Sequence, residues 1–239
     1  MSYLDFDALD GMDAEAFQTR RPFPWTNPAG LLTEEGFHAL RDTLPDASRF
    51  ERIFGKARRH GQQPHDRLSL DYTPGMELSR PWQDFMAELQ GPHYRRFMAR
   101  MLGSDDFGLQ FHWHYTPASC SVSPHCDARS KLGSHIFYFN TEADWRPEWG
   151  GQTVVLDDSG RFDYRSAPAF VDFDQATEST AMGNYSLLFT RRGNSWHGVR
   201  EITCPPDTYR KVLIAVILAP QPPLTRLTKN LGKLLARPA

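Results

Sequence analysis

The chain has 239 residues, of which 40% are hydrophobic, 23% charged and 13% aromatic, with a formal net charge of -2. That length suffices for one substantial core, and the aromatic content excludes a disordered chain. The near-neutral balance excludes a global positive field that would draw the protein onto nucleic-acid phosphates.

Up to about Gly103 the sequence reads as mixed helix and loop. Thr33-Glu34-Glu35-Gly36-Phe37-His38-Ala39-Leu40 predicts a capped helix, with a Thr start, acids in the first turn and apolar residues at helical spacing. Trp82, Phe85, Met86 and Leu89 recur at helical spacing, so Pro81 opens a second helix that Gly91-Pro92 ends. A third is predicted over Tyr94 to Leu102, with Phe97, Met98, Met101 and Leu102 as its apolar stripe.

From Phe107 the pattern changes to short aromatic and β-branched runs separated by Gly, Pro, Asp and Asn. Strands are predicted over Gly108–Tyr115, Gly133–Asn140, Gly151–Leu156, Tyr185–Thr190, Gly198–Ile202 and Arg210–Leu218. Short strands without interleaved helices predict a barrel or a double-sheet jelly roll. An acidic and aromatic stretch of weak periodicity lies between Asp157 and Gly183, the kind of long loop that often carries function. From Leu224 a basic amphipathic helix is expected, packed on the barrel or on a second subunit in preference to lying on a membrane surface. No repeat or low-complexity linker divides the chain. The reading is therefore one domain over 1–239: helical support over 1–103, a β core over 104–220 and a tail over 221–239.

No apolar run reaches the length of a bilayer span, and the acidic start Met1-Ser2-Tyr3-Leu4-Asp5 is unlike a signal peptide. Cys120, Cys126 and Cys204 are an odd set without C-x-x-C spacing. They argue against a disulfide framework or structural zinc, and for a reducing, cytoplasmic setting.

His125-Cys126-Asp127 carries the first chemical signal. On extended backbone, residues i and i+2 point to one side, so a His and a carboxylate at that spacing can grip one ion. By chance about one H-x-[DE] pair is expected from this composition, so the pair needs support. Asn194-Ser195-Trp196-His197-Gly198-Val199 supplies a second His across the fold. Two His and one carboxylate form a face that binds non-haem Fe(II) and leaves positions open. Downstream, Tyr209-Arg210-Lys211 opens an apolar strand. A cation at its mouth points inward only toward an anion. Arg suits a carboxylate through its planar fork, but both faces of the strand are apolar, so Arg210 and Lys211 both remain candidates.

From about Phe107 to Leu218 the sequence resembles the 2-oxoglutarate and Fe(II)-dependent oxygenases, in particular their prolyl 4-hydroxylase-like branch. The H-x-D…H…R pattern matches His125, Asp127, His197 and Arg210. Tyr115-Thr116-Pro117 precedes the first ligand where the family has a tyrosine that reaches the cosubstrate. His135-Ile136-Phe137-Tyr138-Phe139-Asn140, then Asp144-Trp145 and Trp149-Gly150-Gly151, matches the family's aromatic strand, acidic-aromatic turn and double glycine. The cation lies slightly farther past the distal His than is usual, and 157–183 is atypical.

The resemblance implies a mainly β fold with flanking helices (α+β), a double-stranded β-helix or jelly roll buttressed by N-terminal helices. It implies metal ligation by His125, Asp127 and His197, and cosubstrate binding by Arg210, Tyr115 and Tyr138. The implied cofactors are Fe(II), 2-oxoglutarate and O2, with ascorbate as a reductant. The implied reaction hydroxylates an unactivated C–H of an amino acid, peptide or protein residue, releasing succinate and CO2. A nucleic-acid substrate is not favoured by the charge. The rival reading is a non-catalytic metal-binding jelly roll that serves as a sensor or interaction module.

Other residues weigh less. His112 and His114 form H-x-H but lack the carboxylate a cupin site wants, and if Tyr115 faces the pocket, strand alternation sends both histidines to the opposite face. His135 reads as an ordinary hydrogen-bonded histidine. Arg52-Ile53-Phe54-Gly55-Lys56-Ala57-Arg58-Arg59-His60-Gly61 is the dense basic cluster, a solvated loop or a receiver of an anionic substrate.

Overall fold

The computed structural model, which describes residues 1–220, forms helices where the capping and periodicity signals lie. Two short helices open the chain, α1 (Phe6–Asp10) and α2 (Ala14–Thr19). Asp5 and Asp13 cap them by accepting from the Ala8 and Ala16 amides. Strand β1 (Trp25–Thr26) is followed by α3 (Glu34–Asp42), whose Thr33 hydroxyl accepts from the Gly36 amide at 3.0 Å. Strands β2 (Glu51–Ile53) and β3 (Arg67–Asp71) precede α4 (Arg80–Gln90) and α5 (Pro92–Leu102). Trp82, Phe85, Met86 and Leu89 of α4 are buried, as are Tyr94, Phe97, Met98 and Met101 of α5.

Eight further strands follow. They are β4 (Gly108–Thr116), β5 (Val122–His125), β6 (Lys131–Tyr138), β7 (Thr153–Asp157), β8 (Gln175–Glu178), β9 (Ser186–Thr190), β10 (His197–Val199) and β11 (Arg210–Leu218). They form two antiparallel sheets. The larger has the order β1-β9-β6-β11-β4-β3-β2, the smaller β5-β10-β7-β8. Two antiparallel sheets with helices against one of them make the jelly-roll, α+β architecture.

The first 103 residues are more than helical support. β1, β2 and β3 lie in that stretch and extend both edges of the larger sheet. Their two to five residues are too short for a periodic signal, so only pairing, of β1 with β9, β3 with β4 and β2 with β3, defines them. β5 and β8 escape the sequence for the same reason. The 157–183 stretch, read as a loop, contains β8 on the edge of the smaller sheet. It also brings Phe162, Phe170 and Phe173 against Trp196 on that sheet's outer side. The amphipathic helix expected from Leu224 lies outside the described residues. Among the described residues no helix is long and apolar enough to cross a membrane.

Strand parity divides the core. Leu213, Ala215 and Ile217 of β11 join Phe111, Trp113 and Tyr115 of β4 in one apolar cluster with α3, α4 and α5. Val212 and Ile214 face the other way, with Ile136, Tyr138, Leu187 and Phe189, into the space between the sheets. The larger sheet is thus a wall, helices outside and site inside.

Candidate metal centre

β5 and β10 are paired so that His125 lies directly opposite His197. Asp127 follows two residues after His125. One ligand atom from each of the three lies within 4.8 Å of the others. The two rings are 4.4 Å apart, and Phe189 packs on His197 at 4.5 Å. Gly198 makes the close pairing possible: a Cβ there would sit 2.6 Å from the Val122 carbonyl and 2.9 Å from the Phe170 ring.

Both imidazoles are set for metal. His125 Nδ1 lies 2.9 Å from the Ser123 carbonyl, and His197 Nδ1 lies 2.9 Å from the Ser195 carbonyl. A carbonyl only accepts, so each Nδ1 carries the proton and each Nε2 keeps its lone pair. Burial, with His197 beside it, pushes His125 down to about 3, and burial lowers His197 as well, so both rings are neutral. Burial pushes the Asp127 carboxyl up. The Lys131 ammonium outweighs it and holds the group below its ordinary value. Lys131 Nζ lies 3.3 Å from Asp127 Oδ1. Two neutral imidazoles and an ionised carboxylate are the donor set that suits Fe(II).

The three ligands open onto a cavity of about 180 Å³ between the sheets. Val122, Ile136, Phe189, Ile214 and Val216 form its apolar wall, and Arg210 closes its inner side. Arg210 is only 6% exposed. Its Nε donates to the Gly151 carbonyl at 2.5 Å and its Nη2 to Thr153 Oγ1 at 3.3 Å. Among the described residues it has no carboxylate partner within 4.0 Å. Burial lowers its pKa. Gly151, at φ 90°, admits it, since a Cβ there would meet Arg210 Cδ at 3.0 Å. Lys211 points the other way and pairs with Asp144 at 3.0 Å on the helix side.

Tyr138 lies beneath Arg210, with the guanidinium carbon 5.4 Å from its ring centroid. Its hydroxyl bonds Thr153 Oγ1 at 3.0 Å and Ser179 Oγ at 3.1 Å. Tyr115 is a correction. It pairs with Lys211, faces the helices, stacks on Phe50 at 4.2 Å and donates to the Pro45 carbonyl at 2.8 Å. It does not line the cavity. The same register turns His112 and His114 inward, where both line it, the reverse of the alternation expected from an inward Tyr115. The strand carried that signal: Phe111, Trp113 and Tyr115 are the bulky apolar set that a helix-covered face takes. His135 also faces the helices, its Nδ1 2.9 Å from the Tyr94 hydroxyl.

Arg58, from the basic 52–61 cluster, also lines the cavity, as do His65 and Arg67, which sequence reasoning did not single out. His65 sits 4.5 Å from the His125 ring and bonds Ser123 Oγ at 3.2 Å. Arg67 donates to His114 Nε2 at 3.1 Å and to the His65 carbonyl at 2.7 Å. The alternation of His65, Arg67 and Ser69 with Leu68 and Leu70 is the signal that could have found them.

No family model matches the chain, and no curated protein matches it in sequence. Solved structures match it in fold. A prolyl-4-hydroxylase from Pseudomonas putida aligns over 90% of this chain and 100% of its own, at 16% identity and a TM-score of 0.61. A prolyl hydroxylase from Trichoplax adhaerens was solved with a peptide fragment of the hypoxia inducible factor oxygen degradation domain. It aligns over 89% of this chain and 90% of its own, at 12% identity and a TM-score of 0.61. A non-heme alpha ketoglutarate dependent epimerase from nogalamycin biosynthesis aligns over 90% of this chain and 84% of its own, at 14% identity and a TM-score of 0.57. At these identities the likeness is one of fold: the chain has the jelly-roll architecture shared by these prolyl hydroxylases and this epimerase.

Proposed function

We propose that the protein is an Fe(II)- and 2-oxoglutarate-dependent dioxygenase, an enzyme that hydroxylates an unactivated C–H bond and releases succinate and CO2. One observation carries this reading. A His-Asp-His face and a buried arginine that has no carboxylate partner among the described residues share one small cavity between the sheets. A buried cation without an anion is costly, so Arg210 marks the place of an acidic ligand, and the distal carboxylate of 2-oxoglutarate fits its fork.

When bound, iron and 2-oxoglutarate would supply the oxidising chemistry with O2; everything else falls to the chain. His125, Asp127 and His197 would hold the metal, with Ser123 and Ser195 fixing the imidazole tautomers. Lys131 steadies Asp127 from one side. Arg210 would receive the keto acid, and Thr153, Tyr138 and the Gly151 carbonyl hold that guanidinium in place. Tyr138 thus acts through Arg210 and Thr153. The apolar wall excludes water and orients the target carbon, since proximity and orientation select the product.

The substrate class is an amino acid, a peptide or protein residue, or another small molecule. A structural neighbour bound to a peptide fragment and another described as an epimerase have the same fold. Fold therefore fixes the support of the chemistry and not its outcome. The test is succinate formation from 2-oxoglutarate by the purified, iron-loaded protein. Production that requires both iron and oxygen is expected. Equal succinate with and without oxygen overturns the oxygenase reading and favours a non-catalytic metal-binding module.

A further inference from the structure

We propose that the mouth of the cavity is built to seat a multiply charged oxyanion, a phosphate ester or a polycarboxylate, carried by the small molecule on which the site acts. The oxidation of that molecule rests on the oxygenase reading; the binding of its anion does not.

An outer cavity of about 650 Å³ continues the inner one and shares Arg58, His65, Arg67 and Asp127 with it. Four separate segments supply its cations: Lys56, Arg58 and Arg59 after β2, Arg67 on β3, Arg129 after Asp127, and Arg165 from the 157–183 stretch. Among the described residues none of these six lies within 4.0 Å of a carboxylate. Among the described residues Asp127 is the one acid in the outer wall, and it already holds Lys131. The nearby acids are tied to backbone: Asp66 accepts from the Gly55 amide and Asp163 from the Arg165 amide, both at 2.8 Å.

Six like charges are thus gathered on one rim of a chain whose net charge is -2. Their mutual repulsion is unfavourable unless an anion joins them. Several are fixed in advance. His114 and the His65 carbonyl hold Arg67 through Nε and Nη1. Arg129 and Arg165 each lie 5.2 Å from the Tyr164 ring, and Arg165 Nε donates to its hydroxyl at 2.9 Å. Burial lowers the pKa of both Arg58 and Arg67, and the Arg67 guanidinium lowers Arg58 further. Guanidinium forks match phosphate and carboxylate oxygens. One carboxylate would leave most of this charge unmatched, which is why the anion is multiply charged. The bounded volume falls in the small-molecule range of about 300–1,000 Å³, whereas a nucleic acid would need an open basic track.

The test is titration calorimetry with phenyl phosphate, tricarballylate and benzyl alcohol. It is run on the protein as purified and on manganese(II)-loaded protein with 2-oxoglutarate. Both anions are expected to bind, the neutral alcohol not at all, and raised salt is expected to weaken binding. Arg67→Gln and Arg129→Gln should each weaken anion binding about tenfold or more. Arg96→Gln, on the exposed side of α5, should leave it unchanged. Because Arg67 also supports His114, the exposed Arg129 is the cleaner variant. A preference for phenyl phosphate assigns a phosphate ester, and one for tricarballylate a polycarboxylate. Absence of binding by either anion, or equal affinity in the wild type, Arg67→Gln and Arg129→Gln, overturns the inference. Tighter binding of a short single-stranded oligonucleotide than of either small anion overturns the small-molecule occupant. Anion binding without any succinate formation removes the oxygenase reading alone, and succinate formation without anion binding removes this one alone.

Discussion

β4 and β11 run side by side and present two opposite faces. On the helix face stand Phe111, Trp113 and Tyr115 with Leu213, Ala215 and Ile217, packed under α4 and α5. On the cavity face stand His112, His114 and Thr116 with Arg210 and the apolar Val212, Ile214 and Val216. The same two strands thus build a conventional core on one side and bury charge and imidazole on the other. Polar burial costs stability unless every group is matched. The helix face therefore reports on stability, and the cavity face on ligands.

The sharpest separation comes from the metal ligands. Asp127→Ala or His197→Ala is expected to reduce Fe(II) affinity by at least about 100-fold in anaerobic calorimetry, since removing even an outer-shell partner commonly costs 10–100-fold. A chelator should lower the melting temperature of metal-loaded wild type and leave these variants unmoved. Undiminished iron affinity in both variants breaks the assignment of the site. On the other face, Phe137→Ala, next to Phe85 and 1% exposed, should lose roughly 3–5 kcal/mol in urea unfolding. The fraction that stays folded should keep its apparent 2-oxoglutarate constant.

Arg210 and Lys211 set the two faces against each other at adjacent positions. Removing one member of a buried charge-assisted pair costs on the order of 2–5 kcal/mol. Arg210→Ala should thus raise the apparent 2-oxoglutarate constant roughly thirtyfold or more while iron binding persists. Lys211→Ala breaks only a part-exposed pair with Asp144, and such pairs contribute about 0–1 kcal/mol. A larger effect at Lys211 than at Arg210 would reverse the inward face of β11.

Much of this was legible in the sequence, and the rest failed for physical reasons. The helix-start signals at Thr33 and Pro81 and the strand over 210–218 are local, set by a few consecutive residues. His125 ends β5, Asp127 follows two residues past it and His197 opens β10, and the structure brings their ligand atoms together. Inward against outward was harder. β11 is apolar on both sides, so only its partner strand tells Arg210 from Lys211, and β4 tells it through Phe111, Trp113 and Tyr115. The resemblance put a tyrosine at the right distance before His125 and on the wrong face. The cations at the mouth come from residues 56–59, 67, 129 and 165, and only tertiary folding gathers them.

Acid should act on both faces together. Burial holds His135 down to about 3, with no metal or charge nearby, and His112, beside Lys131, down to about 4. In the unfolded chain each takes a proton near pH 6.5. Below that pH the unfolded state binds more protons, so stability falls as pH drops from about 6.5 toward the folded values and is complete above 6.5. Each such histidine adds at most about 1.4 kcal/mol per pH unit to that loss. His135→Gln keeps a partner for the Tyr94 hydroxyl and removes one titrating group. Urea unfolding across this range should show a shallower acid slope for His135→Gln than for wild type. An unchanged slope would mean that His135 is protonated in the folded protein.

The smallest expected effect tests the corrected face of Tyr115. The resemblance gives this tyrosine a hydroxyl that reaches the cosubstrate, whereas the structure sends that hydroxyl to the Pro45 carbonyl at 2.8 Å, behind the sheet. The ring lies on Phe50 and opposite Lys211, two marks of the helix face. Tyr115→Phe keeps the ring and removes only the hydrogen bond. The expected loss is about 1 kcal/mol of stability, the net worth of one such bond with its acceptor left buried. The apparent 2-oxoglutarate constant should stay within twofold or so of wild type, because no atom of the cavity wall has changed. If instead Tyr115→Phe raises that constant about tenfold with stability intact, β4 carries its odd residues inward. His112 and His114 would then turn toward the helices, and Arg210 could not face the cavity in the observed register.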